Sequence, residues 1–169
     1  MRFLIFLTIA FSASTLLGQV NKNTLHLVYD KTNDQYGYLN QKGDTIIPFG
    51  KYSFCFTSKF DKFAIVSSPD KGFIGIDRNE KILFNIFVFD NGPDYLSNGL
   101  FRIVKNGKLG YADKNGNIVI SPKYDCAYPF VNGKANVGTG CKIKNEGEHW
   151  LWTGGVWQLI NKKGQIVRD

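Results

Sequence analysis

Strong helix formers are scarce in this chain. Of 169 residues, six are Ala, three are Glu and one, the first, is Met. A helical bundle draws on those residue types and is excluded by their shortage. Arginine is also scarce, with four residues (Arg2, Arg78, Arg102, Arg168) against 17 lysines spread along the chain. Phosphate and base recognition favours the planar arginine fork, so the net charge of +7 reads as a solvated lysine surface and not as a nucleic-acid interface. The three cysteines have no C-x-x-C spacing and there are only two histidines, which leaves a redox motif or a zinc knuckle without support. No phosphate loop, dinucleotide fingerprint or Ser-His-Asp arrangement is present, and no cofactor is expected. No apolar run after residue 17 is long enough to cross a membrane as a helix.

What the chain has in quantity is aromatic residues, at 15%, with 18 Gly and 15 Asn. Aromatics suit strands, and Gly and Asn suit turns with positive φ, so the composition predicts an all-β protein. A hydrophobic content of 43% is enough to bury a core.

Residues 1–19 have the layout of a secretory signal peptide. Met1-Arg2 is a short basic start, Phe3 to Phe11 is almost unbroken apolar, and Ser12-Ala13-Ser14-Thr15 and Leu16-Leu17-Gly18-Gln19 follow. Cleavage is expected after Gly18 or Gln19, which leaves residues 20–169 as the mature domain, secreted or periplasmic. The apolar stretch falls short of the roughly 20 residues that a spanning helix needs. Three cysteines cannot all pair within the chain. Cys126 and Cys141 could close a small loop in an oxidising compartment, or Cys55, Cys126 and Cys141 could all be free, small, buried hydrophobes.

Four segments superpose: 38–44, 75–81, 111–117 and 159–165. Each has an apolar pair, then Asp or Asn, two polar residues, usually Gly, and a further polar residue. The anchors Asn40, Asp77, Asp113 and Asn161 are 37, 36 and 48 residues apart. The pattern is that of a tight hairpin: the Asp or Asn side chain bonds back to the turn backbone and Gly supplies positive φ. An aliphatic strand follows each turn, and Pro48 and Pro122 end it in the first and third copies. A further strand lies mid-repeat at 63–66, 99–103 and 133–137, and Asn106-Gly107 is a strong turn signal after the second of these. The prediction is an antiparallel array of short hairpins, about 36 residues per repeat, with three full repeats and a partial fourth. A single such unit is marginal alone and must stack on its neighbours.

Gly110-Tyr111-Ala112-Asp113-Lys114-Asn115-Gly116-Asn117-Ile118-Val119-Ile120-Ser121-Pro122-Lys123-Tyr124-Asp125, followed by Phe130 and Gly133-Lys134-Ala135-Asn136-Val137, resembles one unit of the bacterial WG-repeat family. Tyr36-Gly37-Tyr38-Leu39-Asn40 is a fair first copy. The second has Gly72 and Gly75 displaced, and the fourth has Trp157 followed by Gln158 where Gly is expected. The resemblance covers about residues 25–169 and implies an all-β repeat array with an interaction role and no defined catalytic set.

The long third spacing marks an insertion at about 138–155. Insertions in repeat proteins form loops on one face, often the binding face. Strand alternation would put Trp150 and Trp152 on one side, either as a stacking platform for a ligand or as a cap over the end of the core. His149 stands beside them. Cys141, Glu146, Glu148 and His149 lack regular metal-ligand spacing, and Glu146 with Glu148 is a weak glycoside-hydrolase pair. These residues predict an exported, non-enzymatic repeat protein that binds a protein or cell-envelope partner, or is structural. The alternative is a glycan-binding module using Trp150, Trp152 and His149.

Overall fold

The computed structural model describes residues 24–147 and 149–168, without the side chains of Glu146, His149 and Trp150. The leader at 1–19 lies outside the described residues. Among those described there is no helix, and every strand pairing is antiparallel, as the composition predicts.

The first repeat contributes β1 (Leu25–Asp30), β2 (Gln35–Leu39) and β3 (Thr45–Ile47). The short strands β4 (Phe54–Cys55) and β5 (Lys59–Phe60) lead into the second repeat, which has β6 (Phe63–Ser68), β7 (Gly72–Asp77) and β8 (Ile82–Ile86). A small hairpin of β9 (Val88–Phe89) and β10 (Gly92–Pro93) precedes the third repeat: β11 (Leu100–Lys105), β12 (Lys108–Asp113) and β13 (Ile118–Tyr124). Then come β14 (Cys126–Ala127) and β15 (Lys134–Thr139), the inserted hairpin of β16 (Lys142–Glu146) and β17 (His149–Thr153), and β18 (Val156–Asn161).

The second and third repeats share one seven-stranded sheet, in the order β13-β12-β11-β8-β7-β6-β4, joined where Ile86 and Asn85 of β8 face Ile103 and Val104 of β11. The first repeat forms a four-stranded sheet, β3-β2-β1-β5, and the fourth a three-stranded one, β14-β15-β18. The connecting strands cross between units: β5 pairs back with β1, while β4 pairs forward with β6.

All four anchors do the same thing. The side-chain oxygen of Asn40, Asp77, Asp113 and Asn161 accepts the amides two and four residues on, at 2.8–3.1 Å. This satisfies the turn backbone locally and sets the register of the next strand. The residue three after each anchor has positive φ: Gly43 at 87°, Glu80 at 59°, Gly116 at 80° and Gly164 at 75°. Glu80 is the one non-glycine there, and its carboxylate accepts Lys51 Nζ at 2.8 Å and Tyr52 OH at 2.9 Å. Those bonds to the first repeat offset a backbone conformation that costs a side chain on the order of 1 kcal/mol or more.

The core is divided among the junctions between repeats. Leu25, Tyr38, Phe60, Val66 and Ile76 pack between the first and second units. Phe63, Phe84, Phe101 and Ile103 pack between the second and third, and Tyr111, Ile120, Phe130, Val137 and Ile160 between the third and fourth. Each unit therefore buries its apolar face only against a neighbour, as repeat arrays do.

The third copy's hairpin closes through Asn106-Gly107, both at positive φ (52° and 72°), between Lys105 and Lys108. In the fourth copy this tight turn is replaced by residues 140–155, since Thr139 of β15 pairs directly with Val156 of β18. The insertion is held to the body twice. Cys126 is disulfide-bonded to Cys141, 15 residues on. The Asp125 carboxylate accepts Gly140 N at 2.7 Å and is paired with Lys108 Nζ. The Lys108 ammonium and then the Gly140 amide hold the Asp125 carboxyl below the usual carboxylate range. A loop of about 15 residues closed by a disulfide is worth roughly 3 kcal/mol in the chain-entropy account. Replacing both Cys126 and Cys141 with Ala is expected to lower the unfolding free energy by about that amount in urea titrations. A midpoint unchanged from the oxidised wild type would contradict it.

Candidate functional site

Arg102 is the single arginine in the apolar run Leu100–Val104, and it is only 2% exposed. Its own backbone amide and its Nε donate to Asp94 Oδ2 at 2.7 and 2.9 Å, its Nη2 to Asp94 Oδ1 at 2.6 Å, and its Nη1 to the Ala127 carbonyl at 3.2 Å. Asp94 is buried as well. The guanidinium lies 4.3 Å from the ring centre of Phe87 and 5.5 Å from that of Phe89. A buried pair survives only with its remaining donors and acceptors satisfied, and here the backbone supplies those partners.

This pair anchors an arch over the sheet. Phe87 N donates to Arg102 O at 3.1 Å, and Asp94 N to Phe87 O at 2.8 Å. Between them β9 and β10 turn back through Asp90 and Asn91, whose φ values of 48° and 64° suit a two-residue hairpin.

On one side of the arch lies a cleft of about 580 Å³. Phe89, Asp90, Asn91 and Tyr95 form one wall, Tyr128, Pro129, Leu151 and Trp152 the other, and Arg102 contributes to the lining. Phe89, Tyr95 and Tyr128 are 42%, 49% and 43% exposed, which leaves three rings available to a ligand. Phe89 and Tyr95 meet edge to face at 5.4 Å, and Tyr128 stacks on Trp157 at 5.5 Å.

Of the residues singled out by sequence, Trp152 reaches this cleft. It is 8% exposed, belongs to the core of the third and fourth repeats, and touches Phe87 at 5.8 Å and Tyr128 at 5.2 Å. Trp150 and His149 share its strand, with Trp150 opposite Asn145 and His149 opposite Glu146, and their side chains lie outside the described residues. So do the Glu146 side chain and the whole of Glu148. Among the described residues no group of three or more His, Cys, Asp or Glu could hold a metal ion. Sequence reasoning missed Phe89, Tyr95, Tyr128 and the Asp94–Arg102 pair. An arginine in the middle of five otherwise apolar residues was the available signal for that pair.

The family model described as WG containing repeat matches residues 36–68 and 110–140. The two segments carry Tyr38 and Tyr111 at equivalent places. Tyr38 OH donates to the Thr57 carbonyl at 2.8 Å and Tyr111 OH to the Tyr128 carbonyl at 2.6 Å, and each ring meets a buried Phe edge to face, Phe60 and Phe130. No curated protein and no solved structure matches the chain.

Proposed function

Two segments of this chain are WG containing repeats, and from that premise we propose that the protein is an exported, non-enzymatic module that binds a protein partner of the cell envelope through the aromatic cleft beside Arg102. The observation that carries the reading is the cluster of exposed apolar side chains on and opposite the arch: Val88, Phe89, Tyr95 and Tyr128. Aromatic anchors around a structured depression, with a buried arginine beneath, have the composition of a protein-binding surface. Export is supported by the leader and by a disulfide of the kind that persists in oxidising compartments.

The test is proximity capture in intact cells with a photoreactive residue at Val88, an exposed lining position of this cleft, followed by purified binding to the captured protein. Tyr95→Ala and Tyr128→Ala are expected to weaken that binding at least about tenfold, as anchors do, while Tm shifts little. Binding insensitive to both variants would overturn the assignment. A glycan reading is favoured by one observation, that Asp90 and Asn91 stand beside the rings and offer the polar groups a sugar needs. The same two variants on a glycan array decide between the readings.

A further inference from the structure

The other side of the arch holds a larger cleft, about 710 Å³, of quite different character. Its floor is apolar, from Phe63, Ile65, Leu83 and Phe101. Its rim carries Lys59, Lys62 and Lys114. These lysines come from separate parts of the chain: Lys59 from β5, Lys62 from the turn before β6, and Lys114 from the anchor turn of the third repeat.

The convergence is built into the packing. Gly116 lies against the Phe63 ring so closely that a Cβ there would fall 2.3 Å from the nearest ring carbon. The third repeat's turn is thereby seated on the second repeat's first strand, and Lys114 is held over the cleft. Of the two carboxylates on the lining, Asp94 is paired with Arg102, while Asp61 accepts the Thr24 hydroxyl and keeps its charge, so the rim sets three ammonium groups against one carboxylate that is in no ion pair among the described residues. Asp113, next to Lys114, accepts the amides of Asn115 and Asn117 and the Asn117 side chain. The ion pairs among the described residues are Lys51–Glu80, Arg102–Asp94 and Lys108–Asp125, so none of the three rim lysines is in one.

We propose that this cleft binds an acidic oligosaccharide, a sugar chain bearing carboxylate groups, with Lys59, Lys62 and Lys114 meeting the carboxylates and the apolar floor meeting the C–H faces of the rings. The cleft volume lies in the range of small-ligand sites. Three separated ammonium groups act as point charges and suit single anionic groups spaced along a chain, where one anion held bidentately would call for arginine. The partially apolar floor is what separates a sugar from a free anion, which would gain nothing from it.

Calorimetry on the mature chain with oligogalacturonate as the probe tests this, with neutral maltooligosaccharide of equal length as the control. Binding of the acidic chain alone is expected, weakening as salt rises. Lys62→Gln with Lys114→Gln should lower affinity about tenfold or more. Lys162→Gln with Lys163→Gln removes the same charge from the turn of the fourth repeat and should change it little. Equal losses in the two double variants would reduce the effect to general basicity and overturn the proposal. So would absence of binding by the wild-type chain, or equally tight binding of poly-glutamate through the same lysines, which would make the occupant an acidic peptide.

Discussion

Arg102→Leu is expected to destabilise the protein by about 3–5 kcal/mol, because it leaves the Asp94 carboxylate buried with its main partner gone. For a domain with a typical total stability of about 5–15 kcal/mol that loss is severe. The variant also frees the faces of Phe87 and Phe89 that the guanidinium covers and removes the donor to the Ala127 carbonyl, so the arch is left attached to the sheet at this point through the backbone bonds of residue 102. Urea unfolding followed by tryptophan fluorescence measures the effect. The companion variant Arg102→Met with Asp94→Leu removes both charges together and should recover most of the loss, since an apolar pair of similar volume replaces a buried ion pair at little cost. A single substitution costing under about 1 kcal/mol, in the range of exposed pairs, would show that the pair is solvated in solution.

Trp152→Ala carries the second large expectation, a loss of about 3–5 kcal/mol as for a truncated buried aromatic. The indole is 8% exposed and packs with Phe87, Tyr128 and Trp157, so its removal opens a void between the arch, the fourth repeat and the inserted hairpin. Ile143→Ala is the matched control: Ile143 faces Trp152 across the same hairpin, is 66% exposed, and should change stability within about 0.5 kcal/mol. A Trp152→Ala protein that melts like wild type while losing its partner would make this side chain a ligand platform and not part of the core.

The repeat was legible because its signal is local. An Asp or Asn that bonds its own turn needs no knowledge of the rest of the fold, and Asn40, Asp77, Asp113 and Asn161 all behave as their spacing predicts. Glu80 shows where local reasoning ends. It takes a glycine's backbone conformation because Lys51 and Tyr52, from another repeat, hold its side chain. The arch at 87–97 was not legible for the same reason. Its shape depends on Asp94 finding Arg102 eight residues later and under two rings, a contact set by the stacking of the sheet and not by any periodicity in the chain. The insertion was found by counting, but its docking through Asp125 and Cys126 depends on which residues the previous junction leaves facing it.

The division of the core among junctions bears on how the third thiol stays out of trouble. Cys55 lies in the contact between the first two repeats, and burial, against the opposing effect of a hydrogen bond with Tyr38, pushes its pKa up to about 11. The reactive thiolate is then on the order of 10⁻⁴ of the population at neutral pH. A chain delivered from its N-terminus presents Cys55 before Cys126 and Cys141, and the two repeats that bury it are complete by Ile86, before either later cysteine emerges. If the first junction closes over Cys55 during such delivery, Cys126 is the accessible thiol that Cys141 meets in the chain. Refolding of the whole chain from denaturant has no such order, and mispaired products through Cys55 are expected from that route.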